Sequence, residues 1–150
     1  MSNDLNVSDE EWARRQIAAG GPPLDSERMY PQEIVFLERA QKRGEIMEWI
    51  PTGKDGVPRN DFKWISRNGI PAELKSPAGT KYKNIAKRIS DAVATAKEHG
   101  VTKNVFVVDF GDAKIPDKLI RQLSRYNENH ANKITELWIW DSAGLRQLKL

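Results

Sequence analysis

A chain of 150 residues is long enough for one complete domain and too short for two ordinary ones. The absence of cysteine excludes disulfides, thiolate metal ligands and a cysteine nucleophile, and the presence of only two histidines excludes a multi-histidine zinc site. The formal net charge of +3 is unevenly distributed, because residues 59–103 carry 10 Lys or Arg against 4 Asp or Glu. Such a basic block is typical either of a polyanion-binding surface or of a solvated helix face.

The N-terminal residues 1–29 are predicted to be a leader or linker before a domain at 30–150. Ser8 and the acidic residues after it predict the start of a short helix, and the Gly-Gly-Pro-Pro run at 20–23 ends it. We expect no signal peptide, because the basic and apolar parts of one are missing. No apolar run approaches the roughly 20 residues of a membrane span.

The elements of the domain are predicted from hydrophobic periodicity and turn residues. A helix begins at Pro31 and stops at Gly44, and Asn68-Gly69 predicts a hairpin between the second and third strands. A long helix over 81–99 and a helix over 116–129 alternate with buried strands. The predicted strands are Ile46–Ile50, Asp61–Ser66, Ile70–Ser76, Val105–Phe110, Leu137–Trp140 and Leu145–Leu150. The order α-β-β-β-α-β-α-β-β predicts an α/β fold whose mixed sheet is flanked by helices.

Three charged residues of the predicted hairpin form the candidate catalytic site. Glu73 and Lys75 are two residues apart on one strand and therefore project from the same face, while Asp61 begins the partner strand. Two carboxylates and the backbone carbonyl of Leu74 are hard oxygen ligands, which suit Mg²⁺ or Mn²⁺. Lys75 is expected to position a water or offset phosphate charge. The competing interpretation of Glu73 and Lys75 is an ordinary ion pair on an exposed strand.

These residues and the element order carry a resemblance to a known group of proteins. Residues 30–150 resemble the PD-(D/E)XK nuclease superfamily, which has a restriction-endonuclease-like α-β-β-β-α-β core. More narrowly, they look like the C-terminal tRNase toxin domains of contact-dependent growth-inhibition (CdiA-type) proteins. The matching features are Asp61, Glu73, Lys75, a Glu in the first helix (Glu33), the helix after Lys75 and the aromatic strand Leu137–Asp141. Asn60-Asp61 stands where the superfamily usually has Pro-Asp.

The resemblance implies a metal-dependent endonuclease that hydrolyses phosphodiester bonds. The implied substrate is tRNA, with DNA as the alternative, and the implied partner is a cognate immunity protein. The implied place of action is the bacterial cytoplasm, after delivery as the C-terminal part of a secreted toxin. The alternative from another class is a non-catalytic domain of the same fold that binds nucleic acid or protein.

The resemblance also implies that Glu33 completes the metal site from the first helix. Glu33 shares the apolar face of that helix with Leu37 and Ala40, so it is expected to point inward. A carboxylate there is costly unless it is paired or metal-bound, whereas Glu38 lies on a different face and is expected to be solvated.

Other polar and aromatic residues have two interpretations each. The start of the helix after Lys75 suits phosphate, and its candidate substrate-binding residues are Thr80, Lys81, Lys83 and Lys87. A solvated helix face is the competing interpretation. Trp64, Trp138 and Trp140 could stack on bases, and for Trp138 and Trp140 we expect core packing instead, because they alternate in a strand. Asp109 and Asp112 are expected to form a turn at a strand end rather than a second acidic site.

Overall fold

The computed structural model of the protein describes residues 31–50 and 55–150. The prediction for the leader at 1–29 falls outside these residues. The described strands are β1 Met47–Trp49, β2 Phe62–Trp64, β3 Ile70–Lys75, β4 Val105–Asp109, β5 Glu136–Asp141 and β6 Gly144–Leu148. The described helices are α1 Pro31–Lys42, α2 Tyr82–Glu98, α3 Asp117–Ser124 and α4 Tyr126–Asn129. Among them, none has the length and hydrophobicity of a membrane span.

The six strands form one mixed sheet in the order β1-β2-β3-β4-β5-β6. The outer pairs β1–β2, β2–β3 and β5–β6 are antiparallel, whereas β3–β4 and β4–β5 are parallel. The parallel pairs are those whose connections contain helices, as parallel strands require. The predicted α/β class with a mixed sheet is therefore confirmed.

The predicted hairpin between β2 and β3 is also confirmed. Phe62 lies opposite Ala72, and Trp64 lies opposite Ile70. Asn68 and Gly69 both have positive φ, at 61° and 70°, which explains why the turn uses the two residues that best tolerate this conformation. The turn is wider than a two-residue loop, because Ile65–Arg67 form a short 3₁₀ helix before it.

The helix predicted over 116–129 is divided in two. α3 ends at Ser124, and Arg125, between the two helices, has φ −100° and ψ 13°. The residues of α4 then hold the loop that leads to β5, since Tyr126 Oη donates to the Asn132 carbonyl and the Asn127 side chain bonds both backbone groups of Ile134. These tertiary bonds, which periodicity does not encode, account for the break.

Each face of the sheet has its own core. The core on the α1 side, called the aromatic core here, includes the aromatic residues Phe36, Trp49, Phe62, Trp64 and Trp140, with Trp138 packed against it. The core on the α2 side, called the aliphatic core, includes Ile85, Ile89, Phe106, Val108 and Leu119. The prediction that Trp138 and Trp140 serve packing is confirmed. Trp64 also packs there, and its ring centroid lies 4.8 Å from that of Trp138.

Candidate active site

The β2–β3 pairing brings Asp61 and Glu73 together. Phe62 and Ala72 are opposite each other and belong to the aromatic core, so the next residues along, Asp61 and Glu73, turn to the other face. The Asp61 amide donates to the Ala72 carbonyl at 3.0 Å, and Asp61 Oδ2 accepts from the Leu74 amide at 2.8 Å. The two carboxylates therefore share one face of an antiparallel pair, as predicted.

Glu73 is buried, so it does not belong to an ordinary ion pair on an exposed strand. It is 2% exposed and lies opposite Phe106 of the aliphatic core. Its Oε2 lies 2.5 Å from Lys103 Nζ and 3.7 Å from Lys75 Nζ. Its Oε1 is buried and has no hydrogen-bond partner among the described residues. A buried carboxylate oxygen without a partner is costly, and it leaves a negative site open to a cation.

The electrostatics of Asp61 reflect its burial and the neighbouring acid. Burial raises the pKa of Asp61 to about 8, and the adjacent Glu73 carboxyl contributes to the increase. The Leu74 amide and the Lys103 charge act in the opposite direction and do not cancel it. An acid whose pKa is raised by burial and by a neighbouring carboxyl is a feature of functional sites.

Lys103 is a member of this cluster that the sequence analysis missed. It precedes β4, and its side chain is only 10% exposed. Asn60 donates to the Thr102 carbonyl at 3.0 Å, which fixes the Lys103 loop against the start of β2. The sequence feature that indicates Lys103 is its position at the end of the basic block, directly before a strand that pairs with β3. The long separation from Glu73 in sequence concealed the contact.

Lys75 and Leu74 lie where the sequence analysis put them. The Lys75 side chain is 19% exposed and points to the same face as Glu73. Leu74 is part of the aromatic core through its side chain, and its amide faces Asp61. In an extended strand the amide and carbonyl of one residue leave on the same edge, so the Leu74 carbonyl is also directed toward the β2 side.

Glu33 is not brought to the Asp61–Glu73 pair. The helix that carries it packs through Ile34, Phe36 and Leu37 into the aromatic core, on the face opposite Glu73. Within residues 31–50 and 55–150, no three His, Cys, Asp or Glu side chains form a group that could hold a metal ion. Helical periodicity shows that Glu33 shares the inward side of its helix, but it does not determine on which face of the sheet that helix lies.

The predicted substrate-binding residues divide into two sets. Thr80 and Lys81 line a groove of about 530 Å³ at the start of α2, and both also line a second groove of about 450 Å³ that includes Lys83. Lys87 instead pairs with Asp91 of its own helix at 2.6 Å, and both side chains are well exposed. The solvated-face interpretation therefore fits Lys87. Neither groove is lined by Asp61, Glu73 or Lys75.

Asp109 is part of a turn, as expected. Its Oδ1 accepts from Arg39 Nη1 at 2.8 Å and from the Gly111 amide at 2.9 Å. These bonds fix the end of β4 and tie it to α1. Asp109 therefore has a structural role.

Comparison with known proteins supports the fold. No protein-family model matches the chain, and no curated protein matches it. Among solved structures, the chain is similar to one from the CdiA-CT/CdiI toxin and immunity complex of Burkholderia pseudomallei, with a TM-score of 0.58 and 15% sequence identity. The similarity covers 87% of this chain and 99% of that chain. At this level of identity the likeness shows that the two chains share a fold.

Proposed function

We propose that this protein is a metal-dependent nuclease whose active site is formed by Asp61, Glu73 and Lys75. The observation that carries the proposal is the pair formed by the buried Glu73 of β3 and the half-buried Asp61 directly before β2, in which Glu73 Oε1 has no partner among the described residues and Asp61 has a strongly raised pKa. An ordinary ion pair on an exposed strand would have neither property. Acids with perturbed pKa values and incomplete hydrogen bonding occur at functional sites more often than in scaffolds.

The residues present fit a hard divalent ion such as Mg²⁺ or Mn²⁺. Asp61, Glu73 and the Leu74 carbonyl would hold it, and all three supply oxygen. The unpartnered Glu73 Oε1 is a ready acceptor for positive charge. Glu33 is left out of this set because α1 lies on the other face of the sheet.

Each residue then has a separate chemical task. When bound, the ion would polarise a phosphate oxygen and lower the pKa of a water molecule. Lys75, at the partly exposed end of β3, would orient the attacking water or offset charge on the scissile phosphate. Lys103 binds Glu73 Oε2 and offsets part of its negative charge in a buried setting.

The substrate and partner in this proposal come from the shared fold together with the resemblance of the sequence. The similar solved chain belongs to a toxin and immunity complex. We therefore propose that this protein is a toxin domain that cleaves tRNA in the bacterial cytoplasm, with DNA as the alternative substrate. A cognate immunity protein would be its partner, and a basic surface offers an acidic partner a complementary face.

A second candidate is a binding domain that keeps the fold without catalysis. The contact that favours it is the 2.5 Å bond between Lys103 and Glu73, since an ammonium group already neutralises part of the acid pair. In that case Glu73 and Lys103 would form a structural ion pair, and the pair would not require a metal ion.

One experiment separates the two candidates. Total tRNA and plasmid DNA are incubated with the protein in Mg²⁺, in Mn²⁺ and in EDTA, beside the Glu73→Ala variant. A nuclease cleaves in the presence of metal only and loses cleavage in Glu73→Ala, whereas Glu98→Ala, an exposed acid at the end of α2, serves as the unaffected control. Cleavage by Glu73→Ala at the wild-type rate, or cleavage in EDTA, would contradict the mechanism. Binding without cleavage in any condition would favour the binding domain.

A further inference from the structure

Three grooves adjoin one another along the start of α2 and the length of α3. The groove at the start of α2 and the second groove share Thr80 and Lys81. The second groove shares Lys118 and Gln122 with a third groove of about 460 Å³ on α3. Together they form one continuous surface, called the basic track here, whose cations are Lys81, Lys83, Arg88, Lys118, Arg121 and Arg125.

The charge of the basic track is unbalanced. As far as the described residues define the three grooves, no Asp or Glu contributes to their lining. Arg125 pairs with Glu128 at 3.7 Å, and both of those side chains are at least 70% exposed. The remaining five cations make no ion pair with a carboxylate of residues 31–50 or 55–150. Elsewhere Arg39, Lys103 and Arg146 are paired to buried acids, so those cations stabilise the fold.

The spacing of the α3 cations matches a phosphate backbone. Lys118, Arg121 and Arg125 follow one another at intervals of three and four residues, so they lie on one face of the helix over about 10 Å. Over that distance one strand of a duplex presents about three phosphates. Three cations on a rigid element can therefore meet three consecutive phosphates.

The basic track lacks the groups that bind unstacked bases. Its linings include one aromatic residue, Tyr82, whereas Trp49, Trp64, Trp138 and Trp140 pack in or against the aromatic core on the other face of the sheet. Single-strand binding surfaces rely on aromatic platforms as well as on charge. The track is therefore suited to the backbone of a double-stranded segment.

The basic track also starts close to the candidate active site. Its first groove is lined by Pro77, which follows Lys75 by two residues, so the two Cα atoms are at most about 7 Å apart. A duplex that lies along the track would thus bring a neighbouring strand to the Lys75 end of β3.

We propose that the basic track binds the phosphate backbone of a double-stranded segment of the nucleic-acid substrate, with Lys118, Arg121 and Arg125 as its far end. This inference rests on the proposed function for the nature of the ligand, and it adds α3 to the substrate surface. Recognition there depends on the shape and charge of the phosphate backbone, so binding is independent of base sequence.

The test measures binding in EDTA, so its result does not depend on whether the protein cleaves. Fluorescence anisotropy is recorded with an RNA duplex of about two helical turns, a DNA duplex of the same sequence and a single strand, across a range of salt concentrations. The variant Lys118→Gln/Arg121→Gln/Arg125→Gln is compared with Lys42→Gln/Lys97→Gln/Lys149→Gln, which removes the same charge from exposed positions outside the three grooves. Melting curves verify that both variants are folded.

The expected result is specific to the α3 variant. Loss of three phosphate contacts should weaken duplex binding on the order of 100-fold at 0.15 M salt. It should also reduce the steepness of the fall of log K with log salt by about 2 to 3. The control variant should keep a slope close to that of the wild type. Equal affinity and slope in the α3 variant and the control would overturn the proposal. Tighter binding of the single strand than of the duplex would also overturn it. So would displacement of the duplex by poly-L-glutamate as effectively as by unlabelled duplex at matched charge, which would indicate an acidic protein as the occupant. Duplex binding that depends on α3 in a protein that cleaves nothing would instead overturn only the nuclease mechanism.

Discussion

A carboxylate is buried at two places in the sheet, and the hydrogen bonding of its oxygens differs between them. At the β5–β6 turn, Asp141 is 4% exposed, and both of its oxygens are bonded: Oδ1 accepts from the Ala143 amide at 3.0 Å, and Oδ2 accepts from Arg146 at 2.8 Å. On β3, Glu73 is 2% exposed, yet its Oε1 is unbonded and a second acid, Asp61, is adjacent. Both oxygens of the turn acid are bonded, so its burial is explained by the fold alone. The β3 acid is bonded through Oε2 alone and has a second acid beside it, so the fold alone does not explain its burial.

The largest expected effect is on cleavage, which should depend on Glu73 and not on Asp141. Glu73→Gln should lower metal-dependent RNA cleavage on the order of 1,000-fold, because it removes a charged ligand from the site. It should melt within a few degrees of the wild type, since Asp61 can ionise beside Lys103 once the Glu73 charge is gone.

The matched change at the turn should have the reverse pattern. Asp141→Ala removes two bonds to a buried acid and should lower the free energy of unfolding by about 1–3 kcal/mol, while cleavage at 25 °C is retained. Melting curves and initial cleavage rates for both variants check the comparison. Equal loss of activity in both would show that Glu73 acts through stability.

The second expectation is that Lys75 has a different role from the two carboxylates beside it. Lys75→Ala should lower cleavage on the order of 100-fold but keep Mn²⁺ binding, because its ammonium acts on water or phosphate and not as a ligand. Calorimetric titration with Mn²⁺ and single-turnover cleavage rates measure the two properties. If Mn²⁺ binding disappears with cleavage, Lys75 supports the carboxylates and the assignment of its role is wrong.

The third expectation concerns pH. The folded protein raises the pKa of Asp61 to about 8 from an ordinary value near 3.8, so between these pH values it holds a proton that the unfolded chain has released. Its stability therefore falls as pH rises from about 4 to 8. Asp61→Asn removes this dependence, and above pH 8 it should be more stable than the wild type by at least about 1 kcal/mol, or about 2–4 °C.

Melting curves without metal, recorded from pH 5 to 9, measure this difference. Asp112→Asn, an exposed acid, is the control and should follow the wild type. A constant gap between Asp61→Asn and the wild type across the range would mean that Asp61 does not hold a proton in the folded state.

The smallest expected effect tests Lys103. Lys103→Met removes the positive charge next to Glu73, so it should lower the melting temperature of the metal-free protein and tighten Mn²⁺ binding several-fold. Lys97→Met, at the exposed end of α2, should change neither. Weaker Mn²⁺ binding in Lys103→Met would instead show that Lys103 positions Glu73 for the ion.

The sequence by itself determined the element order and the Asp61–Glu73 pair. Period-two alternation places Glu73 and Lys75 on one face, and Asn68-Gly69 fixes the hairpin that brings Asp61 alongside. Both are local rules, because each concerns residues that are close in the chain. The fold class followed for the same reason, since the alternation of strands and helices limits how a sheet can be connected.

Only the tertiary structure decided which distant residues meet this pair. Lys103 reaches Glu73 because β4 lies parallel to β3 and the loop before it returns over the site, a contact between residues 30 positions apart. Glu33 stays away because α1 covers the opposite face of the sheet. Helical periodicity shows which side of a helix faces inward, but the face of the sheet on which a helix packs is set by the burial of whole surfaces.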